Sequence, residues 1–203
     1  MISLYSGTPG SGKSYHTANV VQSRLKYRHT TIGNFPINNY KHYRGEYIYV
    51  DNSRLSPEWL IEYSKEYFSI HRFREGAILL LIDEAQLLFN SRDFMRGDRM
   101  AWLSFFTQHR HLGFDIILIC QFDRMLDRQI RSLIEYEYIH RKVSNFGWRG
   151  WFLSWWCLGR LFCAVKVWYP LKQKVESEFY ILRKSVYRIY DSYADFNVRS
   201  DTD

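Results

Sequence analysis

The chain has 203 residues, 46% hydrophobic and 18% aromatic, enough for one domain with a sizeable core. A formal charge of +7 and an isoelectric point near 9.3 favour polyanionic partners, nucleic acid or anionic lipid, without bearing on the fold. Cys120, Cys157 and Cys163 are an odd count without metal-ligand spacing, so reduced thiols in a cytosolic chain are expected, with no disulfide framework and no structural metal.

Ile2-Ser3-Leu4-Tyr5 is a short apolar run suited to a buried first strand, and with a strand at the very start no signal peptide is expected. It leads directly into Gly7-Thr8-Pro9-Gly10-Ser11-Gly12-Lys13-Ser14, a complete GxxxxGK[ST] sequence, and residues from Tyr15 to about Arg28 read as a helix. Strand, glycine-rich loop and helix is the context in which this motif cradles phosphate. Glycines let the backbone N–H groups turn inward, and the helix N-terminus adds a favourable dipole. Lys13 is then expected to reach the β- and γ-phosphates of ATP, Ser14 to hold Mg²⁺, and Tyr15 to border the nucleotide.

Strands are expected at 31–35 and 47–50, and Ser56-Pro57-Glu58 opens a helix with a cap, a first-position proline and an early acid. The apolar run 77–82 predicts a parallel strand covered on both faces, ending in Asp83-Glu84. A helix over 98–112, stopped by Gly113, precedes a second buried strand at 116–120 that ends at Gln121. Beyond this the pattern changes, with strands expected at 135–142, 179–182 and 186–190. The predicted fold class is α/β: a P-loop NTPase with a mostly parallel sheet flanked by helices, plus a C-terminal β-rich appendage. The predicted division is a core over 1–134, the appendage over 135–190 and an acidic tail over 191–203.

Ligands of open parallel sheets collect at the carboxyl ends of the strands. Asp83 is placed to hold Mg²⁺ through water, Glu84 to polarise the attacking water, and Gln121 to sense the γ-phosphate or orient water; a hydrogen-bonding turn residue is the plain alternative for Gln121. Such ATPases commonly work as rings in which one subunit's arginine completes the neighbour's site. Arg110, Arg92 and Arg96 are the candidates, with Arg110 preferred. His109 and His111 alternate around Arg110 but lack a third metal ligand.

Together, residues 7–14, Leu81-Ile82-Asp83-Glu84-Ala85-Gln86, the stretch from Gln108 to Ile116 and Cys120-Gln121 resemble the zonula occludens toxin (Zot) family, whose members are similar to filamentous-phage assembly ATPases. The resemblance covers about residues 1–142, and Ile189-Tyr190-Asp191-Ser192-Tyr193 looks like the domain end of Gram-positive relatives. It implies a cytoplasmic ATPase at the inner face of the host membrane that helps pass single-stranded phage DNA through a membrane complex. Nothing in these residues points to a toxin activity.

Five of the seven tryptophans fall between 148 and 168, and Trp148, Trp151, Phe152, Trp155 and Trp156 share one helical face. Three readings stand: an aromatic face packed on protein, an interfacial helix at lipid headgroups, or a stacking platform for single-stranded DNA. Arg160 and Lys166 interrupt the apolar stretch 151–169, so a simple transmembrane helix is not expected. Arg124, Arg128, Arg131, Arg141, Lys142 and Arg149 form the densest cationic stretch, but Asp123, Asp127, Glu135 and Glu137 interleave with them, which favours scattered surface charge over a DNA track. The alternatives to a DNA motor are a nucleotide-gated scaffold with little turnover and a small-molecule kinase.

Overall fold

The computed structural model describes residues 1–38, 40–91, 97–143, 161–187 and 189. Its frame is one eight-stranded sheet in the order β3-β2-β4-β5-β1-β6-β7-β8. The strands are β1 (Ile2–Ser6), β2 (Thr30–Gly33), β3 (Tyr47–Tyr49), β4 (Ile78–Ile82), β5 (Phe114–Ile119), β6 (Tyr136–Lys142), β7 (Leu161–Trp168) and β8 (Gln173–Ile181). The first six run parallel, with β1 in the middle between β5 and β6; β7 and β8 continue the sheet antiparallel.

The continuous apolar runs of β4 and β5 bury both faces, as parallel strands between helices must. Leu4, Leu80 and Leu118 point to one side, where they meet α2 (Pro57–Ile70) and α3 (Arg99–Gln108) through Leu60, Trp102, Phe105 and Phe106. Tyr5, Leu79, Leu81 and Ile119 point to the other, against Ala18, Val21 and Leu25 of α1 (Lys13–Lys26). α2 begins as its sequence predicts: the Ser56 side chain accepts a hydrogen bond from the Trp59 N–H at 3.2 Å, with Pro57 at the first position. Two short helices, α4 (Arg128–Ser132) and α5 (Lys184–Tyr187), and two 3-10 turns, Ala85–Leu87 and Asp123–Met125, complete the described elements.

The α/β fold with a mostly parallel sheet is as expected, while three details differ. The sheet is continuous across residue 134: β6 pairs with β1 in parallel, so the β-rich stretch extends the same sheet. The strand expected at 186–190 begins as the helical turn α5; Val186 and Ile189 are both buried, and their spacing of three is helical rather than alternating. β7 has no counterpart among the predicted strands. Its run Leu161-Phe162-Cys163-Ala164 is buried against neighbours on both sides, a pattern that sequence alone attaches equally to a helix.

Candidate functional site

The turn from β1 into α1 has a shape that only glycine supports at two places. Gly7 has φ 141°, and a Cβ there would lie 2.6 Å from the His140 carbonyl oxygen. Gly12, at the cap position of α1, has φ 98°, and a Cβ would lie 2.8 Å from the Phe162 ring. The loop is tied to the next strand by the Gly7 N–H, which donates to the Gln121 carbonyl at 3.1 Å. Lys13 folds back over it, its ammonium donating to the carbonyls of Gly7 at 2.5 Å and Thr8 at 3.3 Å. Burial lowers the Lys13 pKa, while Asp83, Glu84 and the Cys120 thiol pull it upward. Burial pushes Cys120 itself up to about 12, so it is an inert thiol.

At the end of β4, Asp83 is half-buried and Glu84 exposed. Glu84 adopts φ 46°, ψ 46°, a left-handed conformation that costs a non-glycine residue roughly 1–2 kcal/mol. Local bonds hold it there: its N–H donates to Asp83 Oδ1 at 2.9 Å, and its Oε2 accepts from Gln86 Nε2. The Asp83 peptide is gripped by Asn34 at the end of β2, whose Oδ1 accepts from the Asp83 N–H at 2.7 Å and whose Nδ2 donates to the Asp83 carbonyl at 2.9 Å. Asn34 Nδ2 also donates to Asn52 Oδ1 at 2.8 Å. The oxygen donors expected for Mg²⁺, the Ser14 hydroxyl and the Asp83 carboxylate, are of the hard type that ion takes.

Behind the loop, His16 in the first turn of α1 and His140 on β6 meet at 2.8 Å, with Tyr5 stacked on His16 at 4.7 Å. Tyr180 of β8 stacks on Tyr15 and Phe162, and its hydroxyl donates to the Gly12 carbonyl at 3.3 Å. On the opposite face of the sheet a cleft of about 440 Å³ opens beside Gly7 and Thr8, bordered by Gln121, Phe122, Glu137 and Arg141. Glu137 is buried in its wall, accepting from Ser6 Oγ at 2.6 Å and pairing with Lys172 at 2.9 Å.

The sequence-derived site residues therefore divide. The loop, Asp83-Glu84 and Gln121 follow the carboxyl ends of the neighbouring parallel strands β1, β4 and β5. The Tyr15 side chain turns away: its hydroxyl donates to the Ile181 carbonyl at 3.0 Å and accepts from the Arg183 N–H at 3.1 Å. Arg110 lies at the opposite end of the sheet, paired at 2.7 Å with Glu135, which also accepts from the N–H of Ile2 at the start of β1. His109 is buried and its Nδ1 donates to the Phe106 carbonyl at 2.6 Å; among the described residues no cluster of three potential ligands surrounds a metal position. The interleaved acids are engaged, Asp123 by Lys172, Asp127 by Arg99 and Glu135 by Arg110, while Arg124, Arg128 and Arg141 are exposed. Arg92, Arg96, Arg149 and the tryptophans from 148 to 156 lie outside the described residues. No described helix is long and apolar enough to cross a membrane. Asn34, Asn52, Gln86, His16 and His140 carry no sequence motif that marks them; the rule that polar strand ends face the ligand applies equally to Asn34.

A family model described as Zonular occludens toxin (Zot) matches residues 1–196. Among solved structures, the chain is similar to the N-terminal domain of zonular occludens toxin from Neisseria meningitidis, at 21% identity and a TM-score of 0.61, covering 94% of this chain and 98% of that one. It is also similar to B204, the DNA-packaging ATPase from Sulfolobus turreted icosahedral virus, at 17% identity and a TM-score of 0.56, covering 90% and 98%. The genome packaging NTPase B204 from Sulfolobus turreted icosahedral virus 2, in complex with ATP-gammaS, matches at 17% identity and a TM-score of 0.54, covering 88% and 96%. No curated protein sequence matches the chain. At these identities the structural likenesses establish the P-loop NTPase fold.

Proposed function

We propose that this chain, which belongs to the zonular occludens toxin (Zot) family, binds and hydrolyses ATP and uses the energy to drive single-stranded DNA export during filamentous phage assembly. The observation that carries the reading is the convergence of three strand ends, the loop after β1, Asp83-Glu84 after β4 and Gln121 after β5, on one edge of the sheet. The loop's backbone N–H groups and Lys13 bind the phosphates, with Lys13 leaving its carbonyl partners to do so. Ser14 and Asp83 would hold Mg²⁺, which when bound neutralises charge on the transferring phosphoryl group. Glu84 orients and deprotonates the attacking water, and Gln121 positions it. That B204, a chain of the same fold, is a genome-packaging NTPase solved with ATP-gammaS supports the link to nucleotide and nucleic acid.

The motor works as a homo-oligomeric ring at the inner face of the host membrane, with Arg110 completing the neighbour's site. Steady-state ATPase with and without single-stranded DNA, for the wild type and Glu84→Gln, tests the reading. Turnover stimulated by DNA and lost in Glu84→Gln, with ATP binding retained, is expected. Binding with negligible turnover in both would leave a nucleotide-gated scaffold instead.

A further inference from the structure

We infer that Asn34 is a positioning residue for the strand-end carboxylates, and that Asn52 fixes its orientation. This rests on the ATPase reading above. The sheet explains why a side chain is needed at this place. The β2–β4 ladder ends at the pair Gly33 and Leu81, with the Asn34 N–H still reaching the Leu81 carbonyl at 3.4 Å. Pro36 follows two residues later and removes the next N–H from that strand. The backbone of β2 thus stops pairing just where Asp83 leaves β4. The Asn34 carboxamide takes over: it presents one acceptor and one donor, as a peptide would, to the Asp83 N–H at 2.7 Å and the Asp83 carbonyl at 2.9 Å.

Chemistry alone assigns the amide orientations. The Asp83 N–H can only donate, so Asn34 Oδ1 faces it; Asn34 Nδ2 can only donate, so the atom of Asn52 that meets it at 2.8 Å is the oxygen. With Asn52 Oδ1 also accepting from Nδ2, turning the Asn34 amide over would set oxygen against oxygen at Asn52 as well as at Asp83. The consequence reaches Glu84 through one peptide bond. With the Asp83 peptide gripped on both sides, the left-handed turn at Glu84 has a fixed starting plane, and the Asp83 carboxylate that receives the Glu84 N–H is set with it. Reacting groups displaced by about 1 Å lose rates on the order of a hundredfold, so a rigid peptide here matters for turnover more than for binding. Asn52 belongs to the loop between β3 and α2, so the loop and the carboxylates are joined by hydrogen bonds.

The test compares wild type, Asn34→Ala and Asn52→Ala in four measurements: amide hydrogen exchange at Asp83 by NMR, ADP affinity, thermal midpoint and steady-state ATPase. For Asn34→Ala, exchange at Asp83 should rise at least tenfold and kcat fall at least tenfold, while ADP affinity stays within threefold and the midpoint within a few degrees. Asn52→Ala should lower kcat by a smaller factor, about two- to fivefold, again without loss of affinity. Unchanged exchange at Asp83, or kcat within twofold of wild type in Asn34→Ala, overturns the inference. So does an equal loss of affinity and turnover with a lowered midpoint, which marks a merely structural residue. If Asn34→Ala does not fold, Asn52→Ala decides by the same split of kcat from affinity. A wild-type chain that binds ADP but turns over no ATP overturns both the ATPase reading and the positioning role, whereas an active wild type with an unaffected Asn34→Ala overturns only the latter.

Discussion

His16 and His140 are joined by one buried hydrogen bond of 2.8 Å whose direction is fixed by a third group. His140 Nδ1 lies 3.1 Å from the Ser6 carbonyl and must donate to it, so its Nε2 is the acceptor and His16 Nδ1 is the donor. Burial disfavours the charged form of both rings, which makes this the arrangement of the neutral pair, and the remaining His16 nitrogen, Nε2, faces Glu178 at 4.0 Å. The pair joins the first turn of the loop helix to β6.

Burial depresses both imidazoles, His16 to about 4 and His140, with His16 beside it, to about 3. The other ionisable neighbours are Tyr5, Tyr138, Tyr180, Lys13 and Glu178. The unfolded chain binds protons near 6.5 that the folded pair refuses, so stability is full above pH 6.5 and falls as pH drops toward 4. The loss expected from His16 is roughly 3 kcal/mol at pH 4. Thermal melts from pH 7.5 to 4.5 should show the midpoint beginning to fall between pH 6.5 and 5.5, above the carboxylate range. A flat midpoint down to pH 5 would contradict a neutral buried pair.

Gly12→Ala should damage both fold and nucleotide binding. The left-handed backbone resists a side chain, and the Cβ would meet the Phe162 ring at 2.8 Å and the Tyr180 hydroxyl at 3.1 Å. A loss of about 2–4 kcal/mol in urea unfolding is expected. Tyr180→Phe, which removes only the hydrogen bond to the Gly12 carbonyl, should cost about 1 kcal/mol and keep the stacking.

Lys172 faces two carboxylates, Glu137 and Asp123, and lies 3.5 Å from the Tyr169 ring centre. Lys172→Met leaves the buried Glu137 with the Ser6 hydroxyl as its remaining hydrogen-bond partner among the described residues. Because Lys172 is half-exposed, about 1–2 kcal/mol of destabilisation is expected rather than the full cost of a broken buried pair. Adding Glu137→Gln should recover part of that loss. A double-mutant cycle on chemical denaturation, with no coupling, would show that the pair contributes nothing.

Arg110→Ala separates a surface ion pair from a residue acting on a neighbouring subunit. As a pair with Glu135 alone it contributes under about 1 kcal/mol, since Arg110 is largely exposed. As the arginine acting in trans, its loss should abolish turnover while ATP binding survives, and mixing with Lys13→Ala subunits should restore activity. Stability near wild type with turnover unchanged would assign Arg110 to the Glu135 contact alone.

How much of this was legible in the chain depends on the range of the interactions. Residues 7–14 and Asp83-Glu84 are readable because the phosphate loop is a local motif and a buried strand announces its own end. The face of β4 is readable from its unbroken run of leucine and isoleucine. Asn34 was hidden because its partners, Asp83 and Asn52, come from separate elements, and no spacing in the chain records that β2 lies beside β4. Ring analogy alone points Arg110 toward a catalytic role; its contact with Glu135 arises from the amino ends of β5 and β6 flanking β1. Tyr15 follows the motif in sequence, yet the α1 periodicity turns its ring toward Tyr180.

The central position of β1 governs the order in which the fold can assemble. Its sheet partners are residues 114–119 and 136–142, and the aromatic cover over Gly12 comes from Phe162 and Tyr180. Residues 2–6 thus find their sheet neighbours only in segments made more than about a hundred positions later. The phosphate seat, local as a motif, is assembled only when most of the chain has been synthesised. Nascent chains halted before β5 would leave the apolar β1 without either sheet partner, open to chaperones, and should bind no nucleotide.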